Sequence, residues 1–86
     1  MMIDAMNHPM KEKHLAQLNG TARGLATIIA NPEAANLRAR KVAVAKARDY
    51  ANGSLIFCLM CGDDEDIVST ANSVLQLAEQ VEDIRL

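Results

Sequence analysis

Leu15, Leu18, Ala22, Leu25 and Ile29 follow one another at spacings of 3, 4, 3 and 4. An α-helix of 3.6 residues per turn gathers such positions on one face, and a β-strand scatters them. Pro9 suits the first position of this helix, which the spacing carries to about Ala30. Gly20 and Gly24 interrupt it, each costing about 1 kcal/mol relative to Ala. Close approach to the backbone would compensate. The reading preferred here is a crossing helix packed on that row. The alternative is a ligand lying on an exposed Gly row, with Asn19, Thr21 and Arg23 beside it.

A second helix opens with its own punctuation. Asn31 can cap, Pro32 suits the first helical position, and Glu33 faces the positive helix end. It is expected to run from about Pro32 towards Met60, with Leu37, Val44, Ala47, Ala51, Ser54 or Leu55, and Cys58 inward. Asn52-Gly53 is also a hairpin signal. No second alternating apolar run exists to pair with a strand after it, so continuous helix is preferred. Gly62 is a natural stop. Asp63 or Asp64 can cap a third helix with acids in its first turn. There Ile67, Val74 and Val81 recur every seven residues, and Thr70, Leu77 and Ile84 supply a second seam.

The fold class expected is all-α: a helical hairpin of two long helices plus a third C-terminal helix, assembling as a homo-oligomer. Residues 1–8 read as a mobile tail and residues 9–86 as one helical domain. A chain of 86 residues buries only about 60–65% of its unfolded surface. Its apolar residues are largely Ala, Leu, Ile and Val, and Tyr50 and Phe57 are its only aromatics. That thin core makes association attractive. No apolar run approaches the roughly 20 residues of a membrane span. The first residues lack the charged and apolar regions of a secretion signal, so a cytoplasmic location is expected.

Charge is unevenly spread. Residues 1–50 hold eight Lys and Arg against four acids, whereas residues 63–86 hold seven acids and one base. Arg38, Arg40, Lys41, Lys46 and Arg48 fall within eleven residues with no acid among them. In a protein of net charge −2 this points to a local anion site, or to two solvated faces or paired subunit ends. A polymeric nucleic acid fits poorly, because the net charge is negative and aromatic stacking platforms are nearly missing.

Catalytic patterns are few. Cys58-Leu-Met-Cys61 could be half a zinc site or a redox pair, but four ligands would need His8, His14 or Asp63. Cysteine as a small buried residue is the simpler reading. His8 and His14 lie six apart, off the spacing of a helical metal pair, and read as surface residues. No phosphate loop or nucleophile elbow occurs. The chain therefore reads as a non-enzyme with no cofactor and no metal.

In order, the chain carries His8-Pro9, Leu18, Ala22-Arg23-x-Leu25-Ala26-x-x-Ile29, and Arg38-x-Arg40-x-Val42-Ala43-Val44-Ala45-Lys46. This resembles the small helical phage proteins of the anti-CBASS sponge family, over residues 8 to about 56. That family shows a His-Pro opening, Ala-x-x-Leu-Ala on its first long helix, and Arg-x-Lys-x-Leu-Ala-Leu-Thr-Lys on its second. The resemblance implies an all-helical protomer, a homo-hexamer, and non-hydrolytic sequestration of cyclic di- or trinucleotides that blunts host anti-phage signalling. A phage protein of this kind would act in the host cytoplasm. Its implied contacts here are His8, Asn19, Thr21, Arg38, Arg40 and Lys46. Asn7 stands where relatives often have an aromatic residue, and Asn19 where they often have a base. The competing expectation is a small helical homo-oligomer that binds or inhibits a protein and takes no small ligand.

Overall fold

The computed structural model describes residues 10–84. Pro9, His8 and the proposed tail lie outside them. Three helices, α1 (Lys11–Ala30), α2 (Leu37–Cys61) and α3 (Glu65–Glu82), form an elongated bundle with extents of 52 × 18 × 16 Å. No strand occurs among the described residues, so the chain is all-α.

The α1–α2 connection differs from its expected form. Asn31 caps nothing with its side chain, and instead its backbone N–H closes α1 on the Thr27 carbonyl at 3.0 Å. Pro32–Ala34 form one isolated 3₁₀ turn, and Ala35 is extended. Asn36 then caps α2, its side-chain oxygen accepting from the Ala39 N–H at 2.8 Å. The break follows from Pro32: its ring can open a turn, but a fresh extended residue is needed before a capped helix can start.

α2 runs through Asn52-Gly53 without interruption and stops at Gly62. Gly62 has φ +104°, a region that favours glycine, and its N–H donates to the Cys58 carbonyl at 2.8 Å. Asp64 caps α3, accepting from the Asp66 and Ile67 N–H groups at 3.0 and 3.3 Å.

The core is a ladder of small and branched residues. Leu18 and Leu25 come from α1, Val44, Ala47, Ala51 and Cys58 from α2, and Ile67, Ala71, Val74, Ala78 and Val81 from α3. The seven-residue repeat of Ile67, Val74 and Val81 thus packs inside the protomer. The second α3 seam is Ala71 and Ala78, whereas Thr70, Leu77 and Ile84 are only half-buried. Alanine wins those positions because three helices can approach closely only over a small side chain. On α2, Leu37 is 59% exposed, because it starts the helix where little covers it; one turn further on, Arg40 is buried instead. Ser54, not Leu55, completes the inner row, linked to His14 by a 2.8 Å hydrogen bond between Nδ1 and Oγ. His14 also lies 4.6 Å, ring centre to ring centre, from Phe57. It is an interhelical contact, not the surface residue expected.

Two ion-pair sites tie the elements. Lys11 Nζ at the start of α1 meets Asp64 and Asp66 of α3 at 3.2 and 3.0 Å. Arg48 of α2 grips Glu82 of α3 with two N–H donors, at 2.9 and 2.6 Å. Part of the charge asymmetry is therefore paired within the protomer.

Candidate functional site

The basic stretch of α2 does not act as one patch. Arg38 and Arg40, two residues apart, diverge by about 200° on a helix, and Arg38 is exposed while Arg40 is 7% exposed. Arg48 is committed to Glu82. Lys46 makes no ion pair among the described residues and leans over a recess on the opposite flank of α2 from Arg48.

That recess, of about 410 Å³, lies between α1 and α2. The interface between these two helices is the thinnest of the three, since α3 packs extensively on both. Its floor is the row Ala16, Gly20 and Gly24, with Ala43 across from it, and Gln17, Thr21, Lys46 and Tyr50 stand around it. A Cβ added at Gly20 or Gly24 would meet nothing within 4 Å. The expectation of a crossing helix on this row therefore fails within the protomer. Leu18 and Leu25 aim the bundle contact elsewhere, and the Gly row opens outward with its backbone accessible.

The side chains around the recess are hydrogen-bonding and cationic groups. Thr21 Oγ1 donates to the Gln17 carbonyl at 2.8 Å, so the hydroxyl oxygen is left to accept. Gln17 offers an amide, Lys46 an exposed ammonium, and Tyr50, 39% exposed, a ring face and a hydroxyl. Among the described residues, no carboxylate, His or Cys lines it. Among the described residues no group of three metal-ligating side chains occurs. Cys58 is buried and Cys61 exposed, so the pair does not face one environment.

Of the sequence-derived contacts, Thr21 and Lys46 meet at this recess. Asn19 and Arg38 are exposed and border neither recess described here, and Arg40 borders a different one, between α2 and α3. His8 lies outside the described residues. Gln17 and Tyr50 were missed. Their signal is positional: Gln17 precedes Thr21 by four residues and Lys46 precedes Tyr50 by four, so each pair shares a helix face.

The ion pairs shift their own groups. The Arg48 guanidinium, against a smaller desolvation effect, holds the Glu82 carboxyl below its ordinary value. At Asp64, burial pushes upward, but Lys11 and the Ile67 and Asp66 N–H groups together outweigh it and hold the carboxyl low. Hydrogen bonding to Asp66 and Asp64 raises Lys11 in turn.

No protein-family model matches this chain, and neither does any curated protein or solved structure.

Proposed function

We propose that the chain binds cyclic di- or trinucleotides without turning them over, as a sequestering oligomer encoded by a phage and acting in the host cytoplasm. The observation that carries this reading is the open α1–α2 groove. Its glycine floor lets a base or sugar reach the backbone. Tyr50 offers a stacking face, and Lys46 a point charge for phosphate. One lysine is too little for a ligand with two or three phosphates, so symmetric copies must pool their cations; a hexamer follows the sponge-family resemblance. Storage of a ligand needs no nucleophile, and the groove carries no nucleophile–base pair.

A thermal-shift panel of cyclic di- and trinucleotides tests the proposal. Free ligand at 100 times its dissociation constant should add about 2.7 kcal/mol to native stability. A panel with no shift for any member removes this reading.

A second reading, a protein-interaction or inhibitor module without a small ligand, is favoured by one feature. Ile56, Leu59 and Met60 at the end of α2 are 55, 81 and 80% exposed, a contiguous apolar patch of the kind that marks interfaces.

A further inference from the structure

Arg40 is 93% buried, and its Nε has no hydrogen-bond partner. No other polar side-chain atom among the described residues is stranded in this way. A buried guanidinium N–H without a partner is costly for a small bundle. Arg40 lines a recess of about 290 Å³ between α2 and α3, at the small end of ligand pockets. The walls are apolar, from Leu37, Val44, Val81 and Ile84, and Lys41 stands at the same recess. Arg48 and Glu82 also line it, but each satisfies the other. Among the described residues, the recess is thus left with Arg40 and Lys41 outside any ion pair and with no free carboxylate.

We infer that this recess is a binding site for a small oxyanion, a carboxylate or phosphate monoester, carried on an apolar or aromatic body. The oxyanion sits on the Arg40 guanidinium, whose planar fork gives two parallel N–H donors to such a group. Lys41 adds a point charge, and the apolar body lies against Val44, Val81 and Ile84. The small volume suits one aromatic or short-chain acid. The site is separate from the α1–α2 groove and does not depend on what that groove takes.

The test uses benzoate and phenyl phosphate as the two oxyanion probes, benzamide as the neutral control and inorganic phosphate as the bare ion. Binding is followed by NMR on the Arg40 Nε–H signal and the Val44 and Val81 methyls, and by melting temperature. One or both aromatic oxyanions should move those signals and raise the melting temperature. Which one is stronger separates carboxylate from phosphate recognition. Benzamide should do neither. Arg40→Met should keep the fold, with an equal or higher melting temperature because an unpaired buried charge is gone, and should lose the response. Should that variant not fold, Arg40→Lys keeps the charge without the fork and should weaken binding about tenfold or more. The inference is overturned if neither aromatic oxyanion binds at millimolar concentration, if either variant retains full affinity, or if bare phosphate binds as well as phenyl phosphate.

Discussion

At the scale of single residues, the cations of α2 separate by what surrounds them. Arg48 is paired with Glu82, Arg40 is buried beside the α2–α3 recess, Lys46 overhangs the α1–α2 groove, and Arg38 points into solvent. Their effects on a nucleotide held in the groove should differ accordingly. Lys46→Ala should remove a charge-assisted hydrogen bond and cost about 1.5–3 kcal/mol of affinity. Arg38→Ala should leave both affinity and melting temperature within experimental error. Titration calorimetry on the two variants checks this, and equal losses would remove the groove as the site. The sequence made the density of these cations plain. It did not distinguish them, because a cation's role depends on acids such as Glu82, 34 residues away in the chain.

At the scale of elements, Gly62 as a stop, Asp64 as a cap and the repeat of Ile67, Val74 and Val81 were legible, since each is a local signal. The start of α2 and the second α3 seam were not. Leu outranks Ala as an apolar residue, yet close three-helix packing selects Ala71 and Ala78 over Leu77. The Gly row on α1 was legible as an anomaly, but only the bundle geometry shows that it opens outward. Gly24→Ala should therefore raise the stability of the unliganded protein by about 1 kcal/mol, because an exposed helix position gains from Ala. It should also weaken the nucleotide, because the new methyl sits on the groove floor. Urea melts with and without ligand measure both effects. The interhelical ion pairs carry a pH signature. Asp64 and Glu82 sit below their ordinary values of 3.8 and 4.5 in the folded protein. A carboxyl depressed by folding contributes stability above its unfolded value and loses it as pH falls through the folded value. Stability should thus hold near neutrality and decline below about pH 4.5, and Lys11→Ala should flatten part of that decline in acid urea titrations.

At the scale of the whole molecule, the bundle is long and thin, and no described helix is long and apolar enough to cross a membrane. Its inner ladder is complete within one protomer, since Val74 has no exposed surface. Val74→Glu should accordingly unfold the chain, by burying an unpaired charge. The proposed oligomer needs other surface, and the exposed Ile56, Leu59 and Met60 are the surface we propose for it. Light scattering should report several copies, six on the sponge reading. Leu59→Glu should reduce that number while circular dichroism keeps its helical signal. A wild-type monomer at micromolar concentration would contradict the assembly.

On the reading we propose, the chain stores a cyclic oligonucleotide without altering it. Calorimetric titration with cyclic di- and trinucleotides, followed by denaturation and chromatography of the released ligand, tests it most directly. Saturable binding of at least one member, loss of affinity in Lys46→Ala, and recovery of the ligand chemically unchanged are expected. Binding by none of them, or recovery of a linearised product, would contradict it.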